Sequence, residues 1–184
     1  MKESCFESLS DEVLIHIFGY FNASDLFHAF HAVNDRFNRV LHALTDLHLI
    51  VTQSDSIVNL DCFSASVHTL ITQGDARVHI DHFNYLRRLI LHSPTDRLLQ
   101  QFDRQLRLPY LEQLVVAGIL CSLPNVHATI FSNHFPNLSL CHLSSFETIE
   151  TLRPWTFTPS LRILKIGLID FHTYKAVLRA CPWM

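Results

Sequence analysis

The pattern L-x-x-L-x-L, repeated six times, constrains this chain more than any other feature of its sequence. The copies are LTDLHL at 44–49, VHTLIT at 67–72, LRRLIL at 86–91, LEQLVV at 111–116, LSLCHL at 138–143 and LRILKI at 161–166. Their starts lie 23, 19, 25, 27 and 23 residues apart. Alternation of apolar residues over a few positions describes a short strand with one buried face. Return at a near-constant interval means that each strand is covered only by its neighbours in a stack. The fourth and sixth positions point to the shared core: Leu47 and Leu49, Leu70 and Thr72, Leu89 and Leu91, Leu114 and Val116, Cys141 and Leu143, Leu164 and Ile166. All are aliphatic except Thr72 and Cys141, which makes Cys141 a stand-in for a core leucine. The third to sixth copies follow turn residues: Asn84, Pro109, Pro136 with Asn137, and Pro159.

Between strands the chain must return along the opposite, convex side. Residues 95–108, TDRLLQQFDRQLRL, predict a helix capped by Thr95 or Asp96, with Leu98, Leu99, Phe102 and Leu106 on one face. Residues 171–178 predict another, carrying Phe171, Tyr174, Val177 and Leu178. The link at 53–66 is short and polar and predicts no helix. Alternation leaves the third and fifth positions of each copy on the concave face. The fifth positions are His48, Ile71, Ile90, Val115, His142 and Lys165; the third are Asp46, Thr69, Arg88, Gln113, Leu140 and Ile163. Ile71, Ile90 and Val115 make an apolar stripe, extended diagonally by Leu140 and Ile163. Such a ladder either steadies the sheet or docks an apolar segment of a protein substrate, rimmed by Arg88, His92, His48 and Lys165 beside Gln113.

The N-terminal residues follow a different period. In LSDEVLIHIFGYFNASDLFHAFHAVNDRF at 9–37, Ser10 precedes Asp11 and Glu12 as a helix start. Val13, Leu14, Ile17, Phe18 and Phe21 then keep helical spacing. Asn22, Ser24 and Asp25 begin a second helix carrying Leu26, Phe27 and Phe30, and a third carries Val33, Phe37, Val40 and Leu41. Three short helices bury little surface alone, so another body must cover part of their apolar face.

This segment resembles an F-box, whose pattern runs Leu-Pro, Glu and two aliphatics, Ile-Phe, Leu, Asp-Leu and a Val-Cys-Arg-x-Trp-like ending. Here Leu9, Glu12, Val13, Leu14, Ile17, Phe18, Phe21, Asp25, Leu26, Val33, Arg36 and Phe37 keep that register; Ser10 replaces the proline and Phe37 the tryptophan. The repeats resemble the irregular leucine-rich repeats often found behind F-boxes, without the usual asparagine after the strand. The resemblance implies an α/β chain: a three-helix F-box over 1–43, then a short right-handed leucine-rich-repeat solenoid over 44–184, with a parallel sheet on its concave face. It implies that Leu9, Ser10, Val13, Leu14, Ile17, Phe18, Leu26, Val33 and Phe37 bind a Skp-type adaptor and, through it, a cullin ubiquitin ligase. The chain would be the ligase's substrate-recognition subunit, not itself an enzyme, in cytoplasm or nucleus. A repeat scaffold without ubiquitin output is the alternative.

Other chemistry finds little footing. A net charge of −3 offers no basic field for nucleic acid, and no run approaches the length of a membrane span. The acids in MKESCFESLSDEVL do not suit a signal peptide, so the sequons at Asn22 and Asn137 carry no weight. Cys5, Cys62, Cys121, Cys141 and Cys181 are odd in number and widely spaced, which predicts reduced thiols rather than a disulfide or zinc framework. His28 with His31, and HIDH at 79–82, lack a third ligand at a known spacing, and no metal or other cofactor is expected. Only four glycines leave little for phosphate-cradling loops, and no hydrolase or protease motif occurs. ACPWM at 180–184 falls where a seventh strand would begin, which suggests the first part of a longer repeat array.

Overall fold

Each of the six copies becomes one strand of a single parallel sheet, and the strands lie side by side in chain order. They are β1 (Leu47–Val51), β2 (Val67–Gln73), β3 (Arg88–His92), β4 (Gln113–Ala117), β5 (Leu140–Leu143) and β6 (Ile163–Ile166). The structure, a computed structural model, describes residues 6–52, 63–102, 106–118, 126, 129–144, 158–167 and 171–181. Among these are five α-helices: α1 (Asp11–Phe18), α2 (Ala23–Phe30), α3 (Asp35–Ala43), α4 (Asp96–Leu99) and α5 (Phe171–Ala180). The result is a mixed α/β chain in a solenoid-like arrangement. The link at 53–62 lies outside the described residues, as does ACPWM beyond Cys181.

From β2 to β6 the register is that of the sequence pattern. Leu70, Leu89, Leu114, Cys141 and Leu164 align across the sheet, as do Thr72, Leu91, Val116, Leu143 and Ile166. All are buried except Leu164 and Ile166, which are half-buried at the last strand. The first copy is displaced. Leu49, not Leu47, pairs with Leu70, and Val51 pairs with Thr72. Leu44 caps the end of α3, and Asp46 takes a left-handed turn at φ 64°, so no strand can start before Leu47. A shift of two residues keeps every side chain on its original face, and Leu47 and Leu49 stay buried.

The same turn leads into the last four strands. Backbone N–H groups of Leu86, Leu111, Leu138 and Leu161 donate to the carbonyls of Phe83, Leu108, Phe135 and Thr158 at 3.1, 3.1, 3.1 and 3.4 Å. Asn84, Pro109, Pro136 and Pro159 hold the second position of these turns, where proline's fixed φ is favoured. Each strand from β2 onward ends on a small residue: Gly74, Ser93, Gly118, Ser144 and Gly167. At Gly118 and Gly167 space explains the size. A Cβ on Gly118, whose φ is +123°, would lie 2.8 Å from Ser93 Cα, and one on Gly167 would lie 2.0 Å from the Ser144 carbonyl oxygen.

Two predicted helices differ from expectation. The helix expected over 95–108 ends at Leu99. The side-chain amide of Gln101 is held by the preceding repeat, donating to the Val78 carbonyl at 2.7 Å and accepting from Ile80 N–H at 2.9 Å, where it fixes the chain beyond the helix end. Leu98, Leu99, Phe102 and Leu106 are nonetheless all buried. Thr95 is the N-cap of α4 but its hydroxyl points to Asp75 Oδ1 at 3.2 Å instead. In α5, Val177 is buried, whereas Tyr174 and Leu178 are exposed, so the predicted apolar face is narrower than its spacing implies. The side chain of Phe171 lies outside the described residues.

The N-terminal helices close partly on themselves. Phe6, Phe18, Phe30 and Phe37 form a ring cluster, with Phe18 and Phe30 centroids 4.6 Å apart. Arg36 clips the start of α1 to α3: its guanidinium meets Asp11 at 2.7 Å and donates to the carbonyls of Glu7 and Leu9. Ser10 is the N-cap of α1, yet its hydroxyl accepts no backbone bond. The Glu12 carboxylate instead takes up a backbone N–H and the Ser10 hydroxyl, which holds its pKa below the usual value. Asn22 begins α2 as expected, accepting from Ser24 N–H at 3.3 Å, and also accepts from Ile50 N–H at 3.2 Å. It bridges in parallel to His48, so the helices cover the β1 edge of the sheet. Phe27 meets Phe63 edge to face across the same junction, and one apolar core runs from Leu14 to Cys181.

Candidate functional site

The sheet face turned away from the core carries two rows of side chains. One row reads Ile50, Ile71, Ile90, Val115, His142 and Lys165 from β1 to β6. The row beside it reads His48, Thr69, Arg88, Gln113, Leu140 and Ile163. The displaced first copy therefore puts Ile50, which the repeat pattern did not place, at the head of the apolar stripe and moves His48 from that row to the neighbouring one, in the place expected for Asp46. Asp46 leaves the sheet and lies 3.4 Å from His68 Nδ1. Ile71, Ile90, Val115 and Leu140 are half-buried by their neighbours, while Ile50 and Ile163 are 37% and 48% exposed. Neighbouring strands sit about 4.8 Å apart, so the four aliphatic rungs span roughly 14 Å. The alternation in LHLIV was the signal for Ile50; choosing the frame by its leucines hid it.

Charge is unevenly placed around the stripe. None of the six strands contains an aspartate or glutamate. Arg88 and His92 flank Ile90 on β3, and His142 and Lys165 continue its row on β5 and β6. The acid that leads into β4, Glu112, is 3.8 Å from Arg87. Among the described residues neither Arg88 nor Lys165 forms an ion pair.

The second set of predicted contact residues divides by depth. Leu14, Phe18, Leu26 and Phe37 are buried in the chain's own core, and Leu9 and Ile17 are half-buried. Ser10, Val13 and Val33 are exposed, together with Ile15, Tyr20 and Phe21. The spacing singled out an apolar face without showing which members the three helices use among themselves.

Both described cysteines are free and buried. Burial pushes the Cys181 thiol up to about 11. Burial, with Cys181 nearby, raises that of Cys141 further. Nucleophilic attack needs the thiolate, so both side chains act at neutral pH as small apolar groups. Among the described residues no group of three or more His, Cys, Asp or Glu is placed to hold a metal ion, and no helix is long and apolar enough to cross a membrane. Fold and exposed face define a solenoid-like repeat chain with a short helical module at one end. No family model matches this chain, and no curated protein or solved structure matches it either.

Proposed function

We propose that this chain is the substrate-recognition subunit of a Skp–cullin–F-box type ubiquitin ligase. Its N-terminal helices dock on the adaptor, and its exposed sheet face holds a protein substrate. The observation that carries this reading is the pairing of two apolar surfaces on one continuous core. The stripe headed by Ile50 crosses the sheet, and Val13 and Val33 stand exposed on the three-helix module, 44% and 55% accessible. The motif in 9–37 names the adaptor; the burial pattern supports it by leaving Val13, Val33 and part of Ile17 free for a partner. The chain performs no bond-making step itself. It raises the effective concentration of the substrate at a ligase that supplies the chemistry.

Co-expression with a Skp-type adaptor, followed by size-exclusion chromatography, tests this. A one-to-one complex is expected from the parent chain and not from a Val13→Asp, Val33→Asp variant of unchanged circular dichroism. Leu14 is a poor control because it is fully buried and a charge there would unfold the module. A monodisperse parent that ignores the adaptor would sink the reading. An adaptor complex that recruits no cullin would leave a repeat scaffold without ligase output.

A further inference from the structure

We infer that the exposed sheet face takes an acidic, amphipathic segment of another polypeptide, laid across the strands with its apolar residues one helical turn apart. This rests on the sheet face being the substrate surface and adds the chemical class of what it holds. Three observations lead there. The rungs Ile50, Ile71, Ile90 and Val115 are aligned across four adjacent strands, at the head of an unbroken pairing order. Their spacing of about 4.8 Å is close to the 5.4 Å pitch of a helix. An extended peptide repeats a face only every ~6.8 Å and falls out of step by the third rung.

The charges give the segment its sign. The chain carries 17 acids against 14 lysines and arginines, yet no acid falls on any strand. Arg88 stands beside the stripe at β3, and Lys165 ends its row at β6. The acids Asp46 and Glu112 at the margin already face His68 and Arg87. A basic segment would meet like charge at Arg88 and Lys165, whereas carboxylates or phosphates flanking the apolar residues would be matched at both. A negatively charged chain thus presents a face of opposite sign, which also speeds the encounter with an acidic partner.

The probe is a display library of randomised sixteen-residue peptides, selected on the full chain and counter-selected on Ile50→Asp and Ile90→Asp variants with unchanged circular dichroism. The retained peptides should carry Asp and Glu in several-fold excess over Lys and Arg. Their apolar residues should recur at intervals of three and four. Arg88→Glu and Lys165→Glu should each weaken synthesised members roughly tenfold, less so at high salt. Peptides that depend on Ile50 and Ile90 but show no acidic excess, or that ignore both charge reversals, would overturn the inference and spare the substrate surface. Recovery of no peptide that depends on either isoleucine would overturn the substrate surface itself.

Discussion

Thr72 occupies a leucine slot of the second repeat, and replacing it with valine should stabilise the protein. The residue is fully buried on β2, in register with Val51 on one side and Leu91 on the other. Its hydroxyl oxygen has no hydrogen-bond partner. A buried polar group left unbonded costs about 1–3 kcal/mol, and an apolar group of the same shape removes that cost. Valine keeps the branched Cβ that suits a strand and fills the same volume. The expected gain is therefore about 1–2 kcal/mol, which in a chain of this size raises Tm by roughly 2–8 °C. Thermal melts followed by circular dichroism read it directly. Thr72→Ser sets the sign of the control: it keeps the hydroxyl and deletes a methyl, so it should lose roughly 1 kcal/mol. A valine variant that melts at or below the parent would mean that the hydroxyl is satisfied in the folded state, and the reasoning would fail.

Gly118→Ala should cost roughly 1–3 kcal/mol in a urea titration, because its Cβ would crowd Ser93 Cα at a backbone angle that L-residues seldom adopt; an unchanged midpoint would remove the close-approach account of the strand ends. Glu12 gives a pH signature at α1. Its folded pKa lies below 4.5, so the protection it gives is present above that pH and fades as pH falls through the lowered value. The hydrogen-exchange protection factors of the α1 amides, referred to the intrinsic rate at each pH, should fall on acidification in the parent and change less in Glu12→Gln; equal acid responses would show that the carboxylate does not cap the helix.

What the sequence exposed and what it hid follow from physical range. The strands of the third to sixth copies were legible because each has a leucine at the first position, a turn residue before it and alternation through it, all within about ten residues. The first copy misled because LTDLHL satisfies the full pattern, whereas the frame in use, two residues on, begins with Asp46 and keeps only the alternation; the choice rests on the end of α3 and the φ of Asp46. The helix expected over 95–108 had the right apolar spacing, but Gln101 is bound to Val78 and Ile80, some twenty residues earlier, and no local pattern reports that. The small residues after the strands were in plain view as Gly74, Ser93, Gly118, Ser144 and Gly167. At Gly118 and Gly167 their meaning appears only when neighbouring strand ends are seen to pass within contact distance. At the candidate site, the apolar stripe was legible apart from Ile50, whereas the N-terminal face was legible only as a set. Which members turn inward depends on the four-phenylalanine cluster, and Phe6 in it lies before the recognisable motif.

The strict order of the sheet has a consequence for how such a surface grows. Each strand meets only the copies next to it, and β3 to β6 share the same lead-in turn and a small residue where they end. A duplicated unit inserted between β3 and β4 would therefore find on both sides the neighbours its parent already had. It would lengthen the stripe by one rung of about 4.8 Å and leave the Asn22 clasp at the far end untouched. Tandem duplication and loss, rather than point substitution, are then the least disruptive routes by which relatives of this chain would change the length of what they hold.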